Sequence, residues 1–152
     1  MKISYPYNLT KTANGQVKEE TIAFPSSSGT QAYQQEVLEC RTLQVPRAKL
    51  GDADFKQLVN AWSPMLKGGI KWVYTVYREL YVIPASFKRH EPPHSYAAGN
   101  SPVFTAGFAD QGESVNQLNI NNWSGHYKPS NASLQHHIAA SWGKSDYQIT
   151  IV

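Results

Sequence analysis

The chain has little sulfur and little charge. Cys40 is the lone cysteine among 152 residues, which excludes a disulfide framework and a zinc site built on cysteines. Charged residues make up only 16%. The balance is +3 with a pI near 8.9, short of the dense lysine and arginine stripe of a dedicated nucleic-acid binder. No apolar run approaches the roughly 18 residues a membrane helix needs, and the opening Met1-Lys2-Ile3-Ser4-Tyr5-Pro6-Tyr7 lacks the continuous apolar stretch of an export signal. The expectation is a soluble chain with no membrane span and no classical signal peptide. Its compartment stays open, and export would fall to a specialised secretion system.

Hydrophobic residues at 41% and aromatic residues at 12% set the chain among globular domains rather than disordered ones. Its length suits one domain over residues 1–152. Residues 1–50 read as a peripheral hairpin, with Asn14-Gly15 turning between strands at 3–9 and 17–24. A loop at 25–29 follows, and then a segment at 33–45 that fits helix in its first half and strand in its second. Residues 51–152 carry the core. Phe55, Leu58, Val59 and Trp62 share one helix face, with Asp52 placed to cap and Pro64 to stop it.

After Gly68-Gly69 the period changes to two: Ile70, Trp72, Tyr74 and Val76 alternate with Lys71, Val73, Thr75 and Tyr77. With the run at 80–83 this predicts a β-hairpin, and 103–108 and 115–120 read as two further strands. A last helix begins near Ser130, places Leu134, Ile138 and Trp142 at fourfold spacing and stops at Gly143, before a strand at 147–152. The fold class is α+β: an antiparallel β meander with two to three flanking helices. Parallel strands are not expected, because the meander leaves no room for crossover connections.

Five histidines, His90, His94, His126, His136 and His137, raise the question of a metal. His90 and His94 have the i, i+4 spacing of a helical ligand pair, but Pro92 and Pro93 lie between them and break any regular helix. No metal site is expected. His136 and His137 fall in the last helix as surface and core-edge residues.

Two stretches stand apart: 93–107, opening with Pro93-His94-Ser95-Tyr96, and Trp123-Ser124-Gly125-His126-Tyr127-Lys128-Pro129. Each sets a histidine beside small residues at the expected end of a strand, where loops of a meander converge. Two imidazoles suffice for metal-independent phosphodiester cleavage. One removes the 2′-hydroxyl proton, the other protonates the leaving oxygen, and a nearby cation stabilises the phosphorane. His94 and His126 are the candidate acid and base, Lys128 the phosphate contact, and Ser95 or Tyr127 a positioning donor. Trp123 and Gly125 are the candidate substrate-contacting residues. The reading calls for no cofactor. A local reading competes: Ser124 to Pro129 as a strand-to-helix joint, with Gly125 permitting a tight turn and His126 bonded to a backbone carbonyl.

In order along the chain, Leu80-Tyr81-Val82, His94-Ser95-Tyr96, Ala98-Gly99, Thr105-Ala106-Gly107 and Ser124-Gly125-His126-Tyr127-Lys128-Pro129 resemble a module of plant calmodulin-binding IQ-motif proteins and of C-terminal domains of bacterial effector and polymorphic-toxin-like proteins. The resemblance spans residues 70–152. It departs from the pattern at Tyr96, and no IQ-type basic helix precedes it, so calmodulin binding is not carried over. It implies a histidine-bearing α+β domain of secreted effectors or signalling proteins, with "Ala-Ala-Gly" in a strand, and it adds weight to His94, Ser95, His126 and Tyr127.

Whether the chain is an enzyme stays open at this level. RNA is the candidate partner of the histidine reading. The alternative is a non-enzymatic module that binds protein or glycan through the same loops, with Trp123 and Tyr127 as an exposed stacking platform; packing in the core is the commoner fate of such residues. Cys40 reads as a small buried apolar residue rather than a nucleophile. Glu36, Glu39, Asp52, Asp54 and Glu113 show no pairing that commits them to acid-base work. An ADP-ribosylating reading ranks third, because Asp110 and Glu113 fall in a polar turn.

Overall fold

Between Ile70 and Thr75 the side chains alternate across a pleat, and both faces of that pleat are covered. The computed structural model describes residues 3–4, 30–125 and 127–152. Seven strands, β1 (Ile3–Ser4), β2 (Ala48–Lys49), β3 (Ile70–Thr75), β4 (Leu80–Pro84), β5 (Val103–Gln111), β6 (Gln117–Ile120) and β7 (Gln148–Ile151), form one sheet in the order β1-β7-β6-β5-β3-β4-β2. Four α-helices accompany it, α1 (Thr30–Leu43), α2 (Phe55–Trp62), α3 (His94–Ala98) and α4 (Asn131–His137); α2, α3 and α4 pack on the sheet, and α1 packs on α3. The class is the expected α+β. The hairpin at residues 3–24 lies outside the described residues apart from β1, which runs parallel to β7 with Ile3 opposite Ile149.

Pairing is antiparallel from β2 through β6, and β3 sits between β4 and β5. The connection from β4 to β5 crosses one face of the sheet through α3 and returns on the far side of β3, which refines the simple meander. One expectation is corrected. β6 and β7 are parallel, with Leu118 opposite Ile149, because residues 121–147 are a crossover long enough to carry α4 over the sheet.

Ile70, Trp72 and Tyr74 face a core built with Phe55, Leu58 and Val59 of α2, Leu134 of α4 and Trp142. The Trp72 and Trp142 rings meet edge to face at 6.1 Å. The opposite face buries Val73, Ile83, Val103 and Ala106 under Ala97 and Ala98 of α3. Paired residues of antiparallel strands point the same way, so Lys71 and Phe108, opposite each other on β3 and β5, lie on this second face.

Local signals at the helix ends met tertiary competition. Asp52 does not cap α2: its carboxylate accepts from the Lys49 backbone N–H at 3.1 Å, closing the turn after β2, and the N-cap is Asp54 without a side-chain bond. Ser130 does cap α4, accepting from the Ser133 N–H at 3.1 Å. That helix ends at His137 rather than running to Gly143, and Trp142 lies in a separate short 3-10 turn. The ambiguous segment is helical through Leu43 and buries Val37 and Cys40.

Candidate functional site

Pro92 and Pro93 decide where α3 begins. Pro93 is extended at φ −75°, ψ 155°; a proline in the next turn would remove a backbone donor, so the helix starts at His94. Gly99, at φ 60°, ends it one turn later. The short helix is made of small residues, Ser95, Ala97 and Ala98, all buried, and they let it lie directly on β3. His94 is thus the first residue of a helix pressed on the sheet, not a loop residue at a strand end. "Ala-Ala-Gly" closes this helix instead of forming the strand that the family resemblance implies.

The His94 Nε2 lies 2.8 Å from the Gly107 carbonyl of β5. A carbonyl only accepts, so Nε2 carries the proton of this bond, and the ring itself is buried. The ring stands edge-on to Phe108 at 5.4 Å. Phe108 in turn sits 5.4 Å from the Lys71 ammonium, which donates to the Pro92 carbonyl at 2.7 Å. Burial holds the Lys71 amine below its ordinary range, with Glu91 and Glu36 opposing that shift.

These groups share a cavity of about 550 Å3, a size suited to a small ligand or one segment of a polymer. Lys71 and Phe108 come from the sheet, Glu36, Glu39 and Cys40 from α1, and Arg89, His90, Glu91, Pro93 and His94 from the approach to α3; Gly125 closes one side. Burial, and then Glu36 and Glu39, push the Cys40 thiol up to about 11, so it stays protonated and poorly nucleophilic at neutral pH. His90 Nδ1 lies 3.9 Å from Glu39, tying α1 to the opposite rim. Among the described residues no group of three His, Cys, Asp or Glu side chains is arranged to hold a metal ion.

The residues singled out in the sequence fall into different places. His94 and Gly125 line the cavity; His126 lies outside the described residues. Ser95 is fully buried, and its hydroxyl has no hydrogen-bond partner among the described residues. Tyr127 is buried against Val73 and Ala106, and its hydroxyl donates to the Ser101 carbonyl at 2.7 Å; burial raises its pKa far above the ordinary phenol range. Neither hydroxyl is on the cavity wall. Lys128 is exposed and also off the wall, so Lys71 and Arg89 are the cations there.

Trp123 is 66% exposed, against the expectation of core packing. Because Tyr127 is inside, the two do not form one stacking platform. Gly125 has open space where a Cβ would stand. The left-handed residue of that joint is Lys128 at φ 49°, and Ser124 organises the turn through its hydroxyl to the Tyr127 N–H at 3.2 Å and its carbonyl to the Lys128 N–H at 2.7 Å. His136 is exposed and His137 buried, as the last helix led us to expect.

Sequence reasoning passed over Lys71, Arg89, Glu36, Glu39 and Glu91 as a group. One signal was present: Lys71 is the single charge in an otherwise apolar and aromatic strand, where a sheet covered on both faces leaves a charge no exit to open water. Comparison with protein-family models, curated proteins and solved structures finds no match to the chain.

Proposed function

We propose that the chain is an effector- or toxin-like domain that cleaves RNA without a metal ion, using the cavity at His94. The observation that carries the reading is that His94 and Gly125, one from each of the two distinctive stretches, line the same cavity together with a partly buried lysine. In the proposed reaction a 2′-hydroxyl attacks its adjacent phosphorus and loses its proton to one imidazole. The P–O5′ bond breaks as the other imidazole protonates the leaving oxygen, giving a 2′,3′-cyclic phosphate and a 5′-hydroxyl. His94 takes one of these roles and His126 the other. Lys71, rather than Lys128, is the cation for the phosphorane.

The test is incubation of the purified chain with RNA, with and without EDTA, beside His94→Ala and His126→Ala. Cleavage that survives EDTA, ends in cyclic phosphate and falls by about 10²–10⁴ in either variant supports the reading. Equal cleavage by wild type and His94→Ala, or loss in EDTA, overturns it.

One observation favours a second reading, a non-enzymatic protein-binding module. Glu36, Glu39 and Glu91 also line the cavity, and three carboxylates suit a cationic peptide segment better than a polyanion. Intact RNA after incubation, together with saturable binding of a lysine-rich peptide that Glu36→Gln weakens, would establish it instead.

A further inference from the structure

The approach to α3 contains a costly turn. Phe87 and His90 exchange backbone hydrogen bonds, each N–H to the other's carbonyl at 2.8 Å, and form an isolated antiparallel bridge. Between them stand Lys88 at φ 48° and Arg89 at φ 69°. Positive φ at both central residues is the requirement of a type I′ turn, which Asn-Gly meets readily and long side chains meet poorly. Elsewhere the chain uses glycine at several of its left-handed positions, Gly51, Gly68, Gly69 and Gly99. Lys88 and Arg89 are the only two adjacent non-glycine residues with positive φ among the described residues.

The turn is braced from behind. The Phe87 ring lies 5.7 Å from the Trp62 ring at the end of α2, and the Lys88 ammonium is 5.3 Å from the Phe87 ring. In front, Arg89 and His90 line the mouth of the His94 cavity, and both cations of the turn are exposed. Strained backbone persists where the surroundings over-determine it, and it concentrates at ligand clamps. Among the described residues Lys88 has only the exposed contact with the Phe87 ring to set against the unfavourable conformation, and Arg89 lines the cavity beside it; two like charges fixed in one turn gain affinity for a polyanion passing the cavity mouth. Of the carboxylates of the cavity, Glu39 stands 3.9 Å from His90, and Glu36 and Glu91 act on the partly buried Lys71.

We propose that the Lys88–Arg89 turn is the clamp that holds the phosphodiester backbone of single-stranded RNA beside the scissile bond. The inference rests on the ribonuclease reading, and its test separates the two. In Lys88→Asn/Arg89→Gly the turn receives its preferred residues and loses both charges; in Lys88→Gln/Arg89→Gln the charges go and the backbone demand remains. Affinity is read with a 2′-O-methyl oligonucleotide, which cannot be cleaved, over a range of salt.

The expected result is a higher Tm for the Asn-Gly variant, an unchanged Tm for the Gln-Gln variant, and at least tenfold weaker oligonucleotide binding by both. The slope of log affinity against log salt should flatten by about 1.4, for two phosphates on a single strand, and the loss in turnover should fall on KM. Wild-type affinity and slope in both variants, with wild-type cleavage intact, would overturn the clamp alone. Oligonucleotide neither bound nor cleaved by wild type would overturn the ribonuclease reading and the clamp with it. A Tm lowered by the Asn-Gly substitution would overturn the argument from strain.

Discussion

The imidazole of His94 is fixed to the carbonyl of Gly107 at 2.8 Å, and Gly107 is also where the chain leaving β6 crosses β5. A Cβ on Gly107 would stand 1.8 Å from the Asn121 carbonyl oxygen and 2.9 Å from the Asn122 Cα. The same few atoms therefore set the position of the histidine and close the sheet. Phe108 takes part as well, accepting from the Asn121 N–H at 3.1 Å through its carbonyl and donating to the Asn121 Oδ1 at 3.1 Å.

Gly107→Ala should accordingly be among the most damaging small substitutions in the chain. The obstruction is backbone, which cannot rotate away, so the expected loss is about 3 kcal/mol or more. Urea denaturation measures it, and a loss under about 1 kcal/mol would mean that the crossing yields easily.

Tyr127→Phe distinguishes a structural phenol from a chemical one. The phenol donates to the Ser101 carbonyl within packed surroundings, so its removal should cost about 1 kcal/mol of stability. Any RNA cleavage should stay within a few-fold of wild type. A hundredfold fall in rate with unchanged stability would restore a catalytic role to Tyr127.

Acid should weaken the fold through His137. Its ring is stacked on Phe104 at 4.3 Å; burial, then His136 and Arg78, lower its pKa from 6.5 to about 4. Between those values the unfolded chain binds a proton that the folded chain refuses, so stability falls as pH drops from about 6.5 to about 4 and this contribution levels off below. Because the ring keeps some contact with water, the loss should be on the order of 2 kcal/mol. Chemical denaturation at pH 7 and pH 4.5 reads it, and His137→Phe should remove much of the difference; an equal difference in that variant would place the acid sensitivity elsewhere.

Cys40 should resist thiol reagents while the protein is folded. It is buried in the lower half of α1 and its thiol is pushed up to about 11, leaving little thiolate at pH 7. Reaction with a chromogenic disulfide should be slow in buffer and fast in denaturant. Cys40→Ala should leave RNA cleavage within a few-fold; complete inactivation would make the thiol part of the chemistry.

Much of the framework was legible from spacing. The i, i+3, i+4, i+7 set from Phe55 to Trp62 marked α2, and Ser130 marked the start of α4, because both signals act within one turn of chain. The same locality explains the misses. Asp52 looked like a cap until the Lys49 N–H, on a strand that residue types alone did not reveal, claimed its carboxylate. Leu134, Ile138 and Trp142 correctly marked buried positions, yet the helix breaks between them. The Ser141 hydroxyl bonds to the carbonyls of His137 at 2.8 Å and Ile138 at 3.3 Å, competing with the helical ladder. Apolar spacing reports burial more faithfully than it reports continuity of a helix.

Composition and periodicity were enough to determine an α+β chain with one central alternating strand, and the two prolines were enough to break any regular helix between His90 and His94. Only the tertiary structure decided that His94 would face Lys71, Glu36, Glu39 and Arg89 across one cavity, and that Tyr127 and Lys128 would not. The reason is physical. Periodicity and capping are interactions among neighbours in the chain and leave a mark in the sequence. A cavity is made where segments far apart in sequence come together, as α1, β3 and the turn at Lys88 do, and that meeting is set by how the two faces of the sheet are covered.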